Sequence, residues 1–176
     1  LIEHYHKIGN NVDTPIIVYN VPGRTGVNIT PQTLVSLAQH RNIIAIKEAS
    51  GDIEQVAEMA YLLPNFDIYS GNDYMIVPLM SLGGKGVISV VANILPRDTH
   101  DMTEYYLKGD TDNARRLQLK MKGLINALFI ETNPIPIKTA MNLMGMDVGC
   151  LRLPLTDMSK GNKKILRDEL KNYSLI

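Results

Sequence analysis

Ile43-Ile44-Ala45-Ile46-Lys47 is the stretch on which the reading of the fold turns. A short, nearly continuous apolar run that ends in a charge reads as a strand buried on both faces, as in a parallel sheet. Three further runs of this kind occur at residues 16–19, 66–70 and 86–91. Helical patterns separate them, at 31–40, 53–63 and 74–82. The first of these opens with Thr30 as a helix cap and Pro31 at the first helical position. Strand starts recur at intervals of roughly 20 to 28 residues, the length of a strand plus its crossover helix. The pattern predicts successive βα units in one parallel sheet. After Pro96 it changes, and 97–109, 111–130, 135–145 and 159–173 all read as helices. The expected organisation is therefore a βα domain over residues 1–95 and a helical domain over 96–176.

Two architectures use such units. A doubly wound nucleotide-binding sheet normally carries a glycine-rich turn from strand to helix, and neither G-x-G-x-x-G nor G-x-x-x-x-G-K-[ST] is present. Gly83-Gly84-Lys85-Gly86 comes before a strand, so it reads as a tight helix-to-strand turn. The other architecture is a (β/α)8 barrel, which takes about 250 residues. The expected fold is this barrel with only its last four βα units visible, followed by the helical domain. The chain starts at Leu1, without a methionine, inside an amphipathic pattern. The expectation is that further residues precede it.

Composition narrows the function. The chain has 176 residues, 45% hydrophobic and 20% charged, with zero net charge. That excludes a disordered or collagen-like chain. A neutral surface also argues against nucleic acid or an anionic membrane as partner, because both require a basic field. A single cysteine, Cys150, permits neither an internal disulfide nor a multi-cysteine zinc site. No apolar run approaches the roughly 20 residues of a membrane helix. A cytoplasmic protein acting on a small molecule is expected.

Several residues could carry chemistry. Lys47 ends its strand, and alternation puts it on the face shared with Ala45, while Ile44 and Ile46 share the other. In a barrel that directs it into the lumen at the catalytic end, where desolvation lowers the pKa of an ammonium and frees an amine nucleophile for Schiff-base chemistry. The alternative is a strand-end lysine that snorkels to water. Tyr19 holds the equivalent place on the preceding strand, either as a proton-relay phenol or as a core aromatic with a satisfied hydroxyl. Arg24 lies on the following loop, Asn20 to Gly26, where a guanidinium could clamp a substrate carboxylate. Gly71, at the end of the third strand, suggests close approach to a ligand or to another strand. Asn72 or Asp73 reads as the cap of the helix that follows. His4, His6, His40 and His100 show no metal-ligand spacing and read as surface residues.

Five ordered motifs then carry a resemblance. Tyr19-Asn20-Val21-Pro22-Gly23-Arg24-Thr25-Gly26, Ile46-Lys47-Glu48-Ala49-Ser50-Gly51, Tyr69-Ser70-Gly71-Asn72-Asp73, Gly86-Val87-Ile88-Ser89-Val90 and Asn133-Pro134-Ile135-Pro136-Ile137-Lys138 resemble the dihydrodipicolinate synthase family along essentially the whole chain. The resemblance implies a (β/α)8 barrel with a C-terminal helical domain, a homotetramer, and a class I aldolase-like reaction of lysine and diaminopimelate biosynthesis. In that reaction pyruvate forms a Schiff base with Lys47, becomes an enamine and attacks L-aspartate 4-semialdehyde. Tyr19 is then the relay phenol, and Arg24 is similar to the arginine that binds the semialdehyde carboxylate. The Ile88 carbonyl lies beside the pyruvate site, Gly71 is counted among the substrate-binding residues, and no metal or organic cofactor is needed.

N-acetylneuraminate lyase and 2-keto-3-deoxy sugar acid aldolases share the tyrosine and lysine but usually lack the equivalent of Arg24. The family's pyruvate-carboxylate loop, relay threonine and second tyrosine have no counterpart among these residues. The chain by itself is therefore expected to be inactive. A non-catalytic half-barrel, closing against a copy of itself, is the alternative from a different class.

Overall fold

A computed structural model describes all 176 residues as two compact units, Leu1–Ile88 and Ser89–Ile176. In the first, four parallel strands form one sheet in the order β1 (Ile16–Asn20), β2 (Ile43–Glu48), β3 (Asp67–Ser70) and β4 (Gly86–Val87). Helices α1 (Ile2–Gly9), α2 (Pro22–Thr25), α3 (Pro31–Leu37), α4 (Ile53–Leu62) and α5 (Ile76–Met80) alternate with them. Capping follows the side chains. Thr30 accepts from the Thr33 amide at the start of α3, as expected, and Asp52 accepts from the Gln55 amide at the start of α4.

The core of this unit is the layer between the sheet and its helices. Val18, Ile46 and Ile68 of three neighbouring strands pack with Leu34, Leu37, Val56, Met59 and Leu79. The sheet's other face is open: Ile17 and Ile44 are each 45% exposed and Ile88 is 41% exposed. Parallel sheets are normally covered on both faces, so an apolar face is left without its layer.

Three expectations need correction here. Ile44 and Ile46 do not share an environment, since Ile46 is completely buried. Register shifts between Ile16 and Ile17, where one step on β1 spans two on β2, and this irregularity interrupts the alternation. The fourth strand covers only Gly86 and Val87 rather than 86–91. Beyond it Ser89 Oγ accepts from the Ala92 amide and starts a 3-10 turn over Val91–Asn93, which draws the chain out of the sheet. The segment after Tyr19 is not wholly loop: Pro22–Thr25 forms one helical turn, closed by Gly26 at φ 69°.

The second unit is helical, with α6 (Pro96–Leu107), α7 (Thr111–Lys120), α8 (Lys122–Leu128), α9 (Ile135–Leu143) and α10 (Lys160–Asn172). The single helix expected over 111–130 breaks at Met121. Gly123 lies just beyond the break, where a Cβ would fall on the Glu169 carboxylate of α10, so α8 approaches α10 more closely than a longer side chain allows. Leu124, Ile125, Leu128, Leu166 and Leu170 are buried along α8 and α10. Tyr173 donates to the Asp98 carboxylate, which also takes Lys120 Nζ at 3.2 Å, so residues at α6, at α7 and just past α10 are joined. No helix is long and apolar enough to cross a membrane.

Candidate active site

The C-terminal ends of β1, β2 and β3 set the site. Tyr19 pairs in register with Lys47, and Lys47 with Tyr69, so three polar-tipped side chains stand side by side on the open face of the sheet. Lys47 Nζ lies over the Tyr19 ring, 4.3 Å from its centre. Burial lowers the Lys47 pKa; the carboxylate of Asp73 pulls it back up, and the Arg24 guanidinium lowers it further. The net result is an ammonium that gives up its proton more readily than an ordinary lysine. This is the property an amine nucleophile requires.

Gly71 fits against Lys47 for a steric reason. A Cβ there would lie 2.7 Å from Ala49 Cβ and 3.2 Å from Lys47 Cε. Its amide donates to the Glu48 carbonyl at 2.7 Å, which fixes the end of β3 to β2. Of the two close approaches open in the sequence, the one to a neighbouring strand is present. Arg24 is exposed on α2, close enough for its charge to act on Lys47. Ile88 lies just past β4, its amide donating to the Ser70 carbonyl at 2.9 Å. Tyr69 pairs with Gly86, so alternation puts Ile88 on the same open face as Lys47.

Asp73 opens a 3-10 turn just ahead of α5, and Asn72, the residue before it, makes no side-chain cap. Asp73 is buried, with its field on Lys47. Two more residues went unremarked in the sequence. Asn20 and Glu48 follow Tyr19 and Lys47 directly, are 1% and 2% exposed, and bond to each other at 2.8 Å on the helix-covered side of the sheet. The only available sequence signal was a polar residue one step past each candidate catalytic side chain. No group of three or more His, Cys, Asp or Glu side chains could hold a metal ion.

Comparison with known proteins gives the family. The profile of the dihydrodipicolinate synthetase family matches residues 1–173. The 4-hydroxy-tetrahydrodipicolinate synthase of Clostridium tetani is 58% identical over 178 residues, covering 100% of this chain and 60% of its own. That of Caldicellulosiruptor bescii is 59% identical over 175 residues, covering 99% of this chain and 59% of its own. The crystal structure of dihydrodipicolinate synthase from Aquifex aeolicus superposes with a TM-score of 0.96 at 43% identity, over 99% of this chain and 60% of that one. The chain thus spans about 60% of the length of these relatives. Its four βα units and helices are part of a (β/α)8 barrel with a C-terminal helical region.

Proposed function

Since the chain belongs to the dihydrodipicolinate synthetase family, we propose that it takes part in condensing pyruvate with L-aspartate 4-semialdehyde to 4-hydroxy-tetrahydrodipicolinate, with Lys47 as the imine-forming amine. The observation that carries this reading is the strand-end lysine, its amine over a tyrosine ring and its pKa lowered by burial. The neutral Lys47 amine adds to the ketone carbon of pyruvate, and the carbonyl oxygen takes up a proton. Loss of water from that carbinolamine leaves the imine. The Tyr19 phenol gives its proton to the carbonyl oxygen during addition, takes one back from the attacking nitrogen, and gives that one to the departing hydroxyl, which leaves as water.

Loss of a methyl proton then converts the imine to an enamine. Its carbon bonds to the aldehyde carbon of the semialdehyde, whose oxygen is protonated; the semialdehyde's own amine then adds to the imine carbon, which closes the ring and expels the Lys47 amine. The imine nitrogen serves as the electron sink, so the chemistry calls for no metal or organic cofactor. Arg24 receives the semialdehyde carboxylate through two charge-assisted hydrogen bonds. The Ile88 carbonyl borders the pyruvate position, and Gly71 keeps the wall beside Lys47 Cε thin. The working assembly is a homotetramer in the cytoplasm, where Cys150 stays reduced.

Incubation of the intact protein with pyruvate and L-aspartate 4-semialdehyde tests the reading directly. Formation of the cyclic product supports it. Release of pyruvate from N-acetylneuraminate or from a 2-keto-3-deoxy sugar acid, without condensation of the semialdehyde, would assign the chain to the aldolase branch instead.

A further inference from the structure

A buried polar network backs the Tyr19 and Lys47 pair from the far side of the sheet. Glu48 Oε1 accepts from the Ser50 amide at 2.6 Å, and Oε2 accepts from Asn20 Nδ2 at 2.8 Å and from Gln55 Nε2 at 3.4 Å. Asn20 Nδ2 also donates to Asn28 Oδ1 at 2.8 Å, and Asn20 Oδ1 accepts from the Ile29 amide at 2.8 Å. Asn28 in turn donates to Gln55 Oε1 of α4 at 2.7 Å. The main chain repeats the link, since the Ala49 amide donates to the Asn20 carbonyl at 2.9 Å.

Two consequences follow from this wiring. First, Asn20 and Glu48 are register partners one step beyond Tyr19 and Lys47, so their side-chain bond pins the two strand ends whose preceding residues project onto the open face. Second, Asn20 holds both Asn28 and Ile29, which closes the segment bearing Arg24 back onto the end of β1. A carboxylate this deeply buried is costly unless fully hydrogen-bonded, and a hydrophobic pair would join two strands without that cost.

We propose that Glu48 and Asn20 are positioning residues, whose buried hydrogen bond sets the placement of Lys47 relative to Tyr19 and fixes the Arg24-bearing turn over the site. The proposal rests on the imine chemistry assigned above to Lys47. The network also predicts which variants satisfy it. Glu48 faces three donors and no acceptor, so in Glu48→Gln one amide hydrogen must meet a donor whichever way the amide turns. Asn20→Asp sets a second carboxylate against the first. The double variant Asn20→Asp with Glu48→Gln reverses donor and acceptor across the same contact. Its new amide at position 48 donates to the new carboxylate at position 20, while the amide oxygen still accepts from the Ser50 amide and the carboxylate still accepts from the Ile29 amide; the outer amides of Asn28 and Gln55 then turn over, so that Asn28 donates to the carboxylate and Gln55 Oε1 accepts from the new amide.

The test is the rate of pyruvate imine formation in the intact protein, measured by borohydride trapping at saturating pyruvate, together with KM for pyruvate and the thermal midpoint. Each single variant is expected to slow trapping about tenfold to a hundredfold, with a smaller change in KM, and the double variant to recover most of the rate. Folded single variants that trap at the wild-type rate overturn the proposal. So does a folded double variant that stays as slow as the singles, because the contact is then not the cause. If the single variants do not fold, Asn28→Ala, at an exposed position, removes the outer acceptor of Asn20 together with the Asn28 bonds to Gln55, and leaves the Asn20–Glu48 contact itself in place. It should slow trapping about threefold, and an unchanged rate would again count against the proposal. Absence of trapping in the wild type is a separate result that rejects the imine assignment itself.

Discussion

Lys47 and Tyr19 are paired across two parallel strands, with the lysine amine 4.3 Å from the centre of the tyrosine ring. The ring face favours the ammonium, by about 0.5–1 kcal/mol at a partly exposed site, while burial opposes it. The hydroxyl is what the proposed proton relay uses. Tyr19→Phe keeps the ring and removes the hydroxyl. Imine formation should slow about 10²-fold or more, while the thermal midpoint stays close to wild type. Loss of both together would mean that the hydroxyl serves folding rather than proton transfer.

The pH dependence of imine formation follows from the charges around Lys47. Its lowered pKa makes the neutral amine available at lower pH than for an ordinary lysine, so trapping should rise with pH through a midpoint below 10.5. Arg24 lowers this pKa and Asp73 raises it. Arg24→Gln should therefore move the midpoint up and Asp73→Asn should move it down. A shared direction for the two variants would contradict the electrostatic account.

Gly71→Ala tests the steric wall behind the lysine. The new methyl would lie 2.7 Å from Ala49 Cβ and 3.2 Å from both the Glu48 carbonyl oxygen and Lys47 Cε. Backbone and a short side chain must give way, at a cost of about 1–3 kcal/mol. Both the denaturation midpoint and the trapping rate should fall. A variant with wild-type stability would show that β3 relaxes without strain.

In the helical unit, Asp98 is the group to titrate. Burial works against its charge, but hydrogen bonds from Tyr173 and Lys120 and the Lys120 charge outweigh it, so its pKa is lowered. A depressed carboxylate pKa means that the unfolded chain binds the proton first as pH falls. The contribution to stability is therefore complete above the ordinary carboxylate range and is lost as pH drops through the lowered value. Asp98→Asn should cost about 1 kcal/mol at neutral pH, because solvent screens the partly exposed pair with Lys120, with the difference from wild type shrinking in acid. Denaturant midpoints taken across that range check the sign.

The open sheet face has its own consequence. Ile17, Ile44 and Ile88 are exposed in a row that parallel sheets normally cover. The 176-residue polypeptide produced by itself should bind an apolar dye such as ANS and should not form product from pyruvate and the semialdehyde. Turnover by this polypeptide alone would show that Lys47, Tyr19 and Arg24 suffice without further strands.

Much of this was legible in the residues themselves, and the exceptions share a cause. The strand that carries Lys47 and the Thr30 cap of α3 depend on local pattern, which the chain displays directly. The pairing of Tyr19 with Lys47 was foreshadowed because equivalent positions of neighbouring parallel strands fall in register. Asn20, Glu48 and Asp73 were not legible. A buried polar side chain looks like a solvated one until its partners are known, and Glu48 meets Asn20 from 28 residues away. The exit of the chain after Val87 and the break at Met121 likewise depend on contacts, or on a turn geometry, that periodicity does not encode.

Borohydride reduction of the intact protein in the presence of pyruvate, followed by peptide mapping, tests the central claim most directly. The account predicts one reduced pyruvyl group per chain, on the peptide that contains Lys47, and none in Lys47→Arg, whose guanidinium cannot form the imine. An adduct on a different residue, or undiminished labelling of the Lys47→Arg variant, would contradict it.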